Sequence, residues 1–371
     1  MPTFEKWWDD LKKHRKRVEC WLPHWKRIAE ENGGRRPIRY FTLCANSMID
    51  VFMLVREGLL TLDPANGAIE WVRFCEYDFE QYNEIRDMIS REGAGFFGRL
   101  EKLFLFKDDD DTAQFPTLDS IDLEFETFGE SIPAERAEQL RMKRLNLEIR
   151  ATFPYDCINL DFCQYYYPRP PGMLEINETV GRVLDWQRMP SADNKGIEIN
   201  QFLLTVTCRH DSGFPPEAVN RLRELVRNNC GRSESYRKLV HQILGDDRID
   251  EWPVRDPKGF FFSGWPKDIA HSATERGWET EILDYVYYER IGDDGNPYII
   301  VCLVLRFVRV PRQPDYMPAA LFALHSENRK VIPEVERNSV DGERLLTDLR
   351  EVVTLRNAQA ARRHRDPLPL P

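Results

Sequence analysis

The chain of 371 residues is 42% hydrophobic and 31% charged, with a formal net charge of -10, a composition that excludes a disordered polypeptide and suffices for a large core. Its acidic surplus excludes a protein that coats nucleic acid with its whole surface, so any nucleic-acid contact is confined to a local basic patch. The longest apolar run, Tyr298 to Leu305, is too short to span a bilayer, and Glu5, Lys6, Asp9 and Asp10 stand where a signal segment would be apolar; a cytoplasmic protein without a membrane partner is expected.

In chain order, residues 3–32 read as a helix, with Trp7, Trp8, Leu11, Val18, Trp21 and Ile28 spaced for one face and Gly33-Gly34 as its stop. Residues 1–37 hold ten Lys/Arg against six Asp/Glu, a basic stretch read as a solvated face or as a nucleic-acid contact. Ile38 to Leu43 reads as a strand, and Ser47 to Asp50 has capping-box form before an apolar helix ending at Gly58. After a turn at Asp63 to Gly67, Ile69 to Cys75 reads as a second strand, and Phe79, Tyr82, Ile85 and Ile89 recur at helical spacing.

Phe96 to Phe106 reads as helical or mixed, Asp108 to Asp111 as a solvated acidic loop, and Ile121 to Phe128 as the third strand. A charged amphipathic helix over 133–150 precedes the fourth strand, Tyr155 to Phe162. A helix from about Leu174 to Arg188 leads to Phe202 to Cys208, whose continuous β-branched and aliphatic character fits a strand covered on both faces. Helices follow at 216–228 and 234–244, and Gly259 to Trp265 concentrates aromatics between glycines, for core filling or a substrate-facing insert. Ile282 to Glu289 and Tyr298 to Val308 are joined by Gly292 to Asn296, so close that they pair antiparallel. A charged helix over 341–363 and a proline-rich tail end the chain.

The fourth strand delivers Asn159 and Asp161 to its C-terminal end, ahead of Phe162 and the run Tyr165 to Tyr167. Polar groups at that edge of an open α/β sheet face the crevice where ligands bind, although Asp is also common as a cap at such exits. Histidines show no metal-binding spacing, no Gly-x-Ser-x-Gly or phosphate-loop motif occurs, and the eight cysteines form no Cys-x-x-Cys pair, so no metal site is expected. His210-Asp211 follows the fifth strand as a possible base or an exposed loop pair. Asp119, Asp122, Glu124 and Glu126 alternate suggestively, and a metal-dependent nuclease ranks third for want of a neighbouring lysine.

Five strands separated by helices and closed by an antiparallel pair resemble the sheet of class I S-adenosylmethionine-dependent methyltransferases. The resemblance covers about residues 36–310 and rests on Tyr40 to Ser47, on Cys75-Glu-Tyr-Asp78 and on Asn159-Leu-Asp-Phe162. It implies a Rossmann-like three-layer α/β sandwich with a mostly parallel seven-stranded sheet ending in an antiparallel pair, with N- and C-terminal helical extensions. The implied divisions are a basic amphipathic helix at 1–36, a methyltransferase-like domain at 37–310 with a helical insert over about 230–278, and an extension at 311–371.

By the same resemblance, Cys44, Ala45, Asn46 and Ser47 wrap the methionine end of S-adenosylmethionine, and Glu76, with Tyr77 beside it, holds the ribose hydroxyls. One carboxylate at a strand end can accept from both hydroxyls of a vicinal diol, whereas Asp78 fits a helix cap better. Asn159, Asp161, Phe162 and Tyr165 have the chemical types that hold an exocyclic amine of a nucleic-acid base and stack on its ring. The first loop departs from the family in having no glycine. A catalytically inactive methyltransferase-like recognition or assembly subunit of a multi-protein system, with a protein partner at the terminal helices, is therefore the alternative.

Overall fold

The computed structural model describes residues 10–33, 37–43, 47–76, 78–89, 95–97, 133–166, 176–188, 199–210, 216–244, 248–291, 295–310 and 330–371, with only the backbone at 163–165 and 243–244. Eight strands form one sheet in the order β3-β2-β1-β4-β5-β7-β6-β8. They are β1 Tyr40–Thr42, β2 Val72–Glu76, β3 Gly95–Phe97, β4 Cys157–Tyr165, β5 Gln201–Arg209, β6 Trp278–Ile291, β7 Pro297–Arg309 and β8 Lys330–Val331. Strands β1 to β5 run parallel, and β7 is antiparallel to both β5 and β6. The sheet is thus mixed and mostly parallel, as the alternating elements predict, with eight strands rather than seven.

Alternation of side chains across the pleat creates two cores. On one face, Ile158, Leu160, Phe162, Phe202, Leu204 and Val206 pack with α5 Ala134–Ala151, α6 Ile176–Arg188, α7 Pro216–Arg232, α8 Glu234–Leu244 and α10 Pro257–Glu275, which follows the short α9 Trp252–Arg255. The aromatics Phe260, Phe261, Phe262 and Trp265 of α10 fill that core, as one of their two readings has it. On the other face, Tyr40, Phe74, Cys157, Leu203, Cys302 and Val304 pack with α1 Leu11–Lys16, α2 Leu22–Glu31, α3 Ile49–Arg56, α4 Phe79–Ile89 and α11 Val340–Arg362. Both terminal helical segments share this second core with the central strands. No helix among the described residues is long and apolar enough to cross a membrane.

Several expectations need correction. Gly95–Phe97 is the strand beside β2, where a helical or mixed segment is expected; with three residues it carries no periodicity to read. Ile121 to Phe128, the expected third strand, lies outside the described residues, as do Asp108 to Asp111. The capping box at Ser47 does not form: Met48 precedes α3 in the left-handed region at φ 50° with no side-chain cap, and Asp50 bonds to β1 instead.

The N-terminal helix is continuous from Leu11 to Glu31 but widens into a π-helical turn over Arg17–Trp21, where the Leu22 N–H reaches the Arg17 carbonyl. Pro23 supplies the reason, because it has no N–H and its ring collides with the carbonyl four residues before it.

Candidate functional site at the sheet's switch point

Strand order reverses between β1 and β4, and in open α/β sheets the crevice beyond the carboxyl ends at such a switch point receives ligands. In register, Thr42 of β1 lies beside Phe74 of β2 and Asn159 of β4. Glu76 and Asp161 each stand two residues further on, so both carboxylates share one face and one level, about two strand spacings or 10 Å apart. The exit of β1 runs between them. Cys44, Ala45, Asn46 and Tyr77 lie outside the described residues, whereas Ser47 is buried beneath the exit.

Glu76 is partly exposed at the end of β2, and its Oε1 accepts from the Asp78 N–H at 3.0 Å. Asp78 in turn accepts from the Gln81 N–H at 2.9 Å, so it caps α4 as its position in the sequence suggests. The Glu76 carboxylate is thus tethered at the strand end by the Asp78 N–H.

Asn159 is 2% exposed, and its Nδ2 donates to Asp50 Oδ2 at 3.3 Å and Thr42 Oγ1 at 3.4 Å. Asp50 Oδ2 also accepts from Tyr40 Oη at 2.6 Å and Thr42 Oγ1 at 2.9 Å. Burial first and the Asp50 carboxylate second push the Tyr40 phenol well above its ordinary pKa, so it stays a donor. This buried network ties β1, β4 and the first turn of α3 together under the β1 exit.

Asp161 forms an ion pair with Lys13 at 2.8 Å, at side-chain exposures of 13% and 15%. Burial raises its pKa, but Lys13, then Lys16, and finally Arg17 outweigh it and hold the carboxyl well below the ordinary range. Lys16 is fully buried, donates to Thr207 Oγ1 at 3.2 Å, and lies 4.3 Å above the Trp21 ring. Thr207 is the register partner of Asp161. Burial lowers the Lys16 pKa while Asp161 opposes the shift.

Phe162 points into the opposite core, as pleat alternation requires of the residue after Asp161. It does not share a pocket with that carboxylate. Tyr165 pairs with Arg209 through its backbone, its side chain lying outside the described residues, while Tyr166 is buried 5.4 Å from Trp265 between ring centroids. The His210 ring stacks on Phe262 at 5.3 Å, and Asp211 lies outside the described residues, as do Asp119, Asp122, Glu124 and Glu126.

Three residues absent from the sequence-based site, Lys13, Lys16 and Arg17, thus stand over the β4 exit. The signal was the basic stretch itself: read as a solvated or nucleic-acid-facing surface, it instead turns these three side chains inward.

No protein-family model matches the chain, and no curated protein sequence matches it.

Proposed function

We propose that the protein is an S-adenosylmethionine-dependent methyltransferase-like protein with a Rossmann-like fold, its acceptor an exocyclic amine of a nucleic-acid base. One observation carries the reading: two carboxylates, Glu76 and Asp161, flank the β1 exit on one face at the point where strand order reverses. Glu76, held at the end of β2 by the Asp78 N–H, stands where a carboxylate would accept from a ribose diol. Cys44 to Ser47 would enclose the methionine end. Met48, just after them, holds a left-handed backbone, a strained conformation of the kind that clusters at ligand sites. Of the four residues assigned to the acceptor, Asp161 alone offers a carboxylate at the edge.

The second reading is a catalytically inactive subunit on the same scaffold, and the Lys13–Asp161 ion pair favours it. An acceptor amine reaches Asp161 only if Lys13 withdraws, while Asn159 spends its N–H groups on Asp50 and Thr42.

Calorimetry with S-adenosylmethionine tests the cofactor; heat is expected with the parent, and Glu76→Gln should weaken binding by about tenfold through one lost charge-assisted bond. No heat at millimolar cofactor, with the protein folded, rejects the reading. Methyl transfer from labelled cofactor to an oligonucleotide, abolished by Asp161→Asn with binding retained, supports the enzyme; binding without transfer supports the inactive subunit.

A further inference from the structure

We propose that Arg17, backed by Lys13 and Lys16, is the binding site for an oxyanion, a carboxylate or phosphate group of a small ligand, beside the exits of β4 and β5. Arg17 is 5% exposed, and its buried Nε and Nη1 have no hydrogen-bond partner. A guanidinium cannot escape burial by losing a proton, as a lysine can, so only an acceptor satisfies those two N–H groups. Its planar fork matches a bidentate oxyanion.

The surroundings favour negative charge. Lys13, Lys16 and Arg17 all act on Asp161, yet that carboxylate is bonded to Lys13, and Lys16 has Thr207. Three cations thus share one carboxylate. The Asp348 carboxylate of α11, one turn along the same helix face at His14, is taken by His14 and Arg56.

This inference does not depend on S-adenosylmethionine being the ligand, and its failure is separable from that of the cofactor reading. Arg17→Met keeps the aliphatic stem and removes a buried charge without hydrogen bonds, a change that is neutral or stabilising in the free protein. Arg17→Lys keeps the charge and loses the fork. Binding is measured on the full chain by calorimetry, with inorganic phosphate against chloride at matched ionic strength, with S-adenosylhomocysteine, and with methylthioadenosine, which lacks the amino-acid end.

We expect at least one oxyanion ligand to bind the parent, Arg17→Met to weaken it by about 10- to 100-fold, and Arg17→Lys to fall between. Phosphate binding alone supports a phosphate-bearing ligand. S-adenosylhomocysteine binding that needs both Arg17 and the amino-acid end supports a carboxylate. No binding of either at millimolar concentration overturns the site, and so does undiminished binding to Arg17→Met; if S-adenosylhomocysteine binds that variant undiminished, the cofactor reading survives without the anion site.

Discussion

Asp161→Asn should cost far more than the loss of one ion pair, because among the described residues Asp161 is the carboxylate bonded within a group of three cations. At 13% and 15% exposure, the Lys13–Asp161 pair is closer to the buried class, whose breakage costs about 3–5 kcal/mol, than to surface pairs at about 0–1 kcal/mol. We expect about 3 kcal/mol for Asp161→Asn, which leaves Lys13, Lys16 and Arg17 facing a neutral amide. Lys13→Met removes one cation while Lys16 and Arg17 still face Asp161, and about 1 kcal/mol is expected. The double variant should be less destabilised than the sum, since removing Lys13 relieves repulsion that Asp161→Asn exposes. In urea, with a slope near 3 kcal/mol/M, Asp161→Asn should lower the midpoint by about 1 M. The pH dependence has a definite sign. With its folded pKa depressed, Asp161 contributes fully above about pH 4, its ordinary pKa, and loses that contribution as pH falls toward the folded value. Asp161→Asn should erase this part of the acid limb. Equal, sub-kilocalorie costs for both single variants, or an acid limb unchanged in Asp161→Asn, would refute the reasoning.

Burial pushes the Lys267 ammonium down to about 7; stability should therefore rise between pH 7 and 10 by about 1 kcal/mol per unit, as the unfolded chain holds a proton that the folded one has lost, and Lys267→Met should flatten the rise in urea titrations. Tyr40→Phe, which deletes the 2.6 Å bond to Asp50, should cost about 1.5–3 kcal/mol by chemical denaturation; a cost under about 0.5 kcal/mol would show that the network does not hold β1 to α3. Gly342→Ala should destabilise the start of α11 and lower the melting temperature by several degrees, because a Cβ there would stand 2.0 Å from the Glu336 carbonyl oxygen, a backbone atom that accepts from the Ser339 hydroxyl; an unchanged melting temperature would contradict that packing.

The central strands were legible because parallel strands covered on both faces read as unbroken apolar runs, as in Phe202 to Cys208. The hairpin β6–β7 followed from the shortness of its connection. Short edge strands carry no such signal: β3 has three residues and β8 two, and both are held by register to a neighbour rather than by their own pattern. The positions of Glu76 and Asp161 at strand ends, and of Asp78 as the cap of α4, were legible in the sequence. Asn159 was found too, but with another partner, since the Asp50 carboxylate that takes its amide lies on the opposite side of a loop. Phe162 was assigned to Asp161's pocket although period-2 alternation already puts it on the other face.

The solvated-face reading holds for Lys26 and Arg27, which are exposed, and fails at His14, Lys16 and Arg17 for a more general reason. A hydropathy pattern presumes that a helix has one wet side, yet His14 and Lys16, about 200° apart around an α-helix, are both fully buried. His14 reaches Asp348 of α11 and Lys16 reaches Thr207 of β5. The segment is therefore clasped between the sheet and the C-terminal helix, and its polar residues face partners on two sides. Where the chain-end helices meet, residues that composition shows as a charged surface become buried polar contacts. The same arrangement links the α11 clasp to the site: loosening α11, as Gly342→Ala is expected to do, should expose Lys13 and Asp161 together and weaken their pairing without touching either residue.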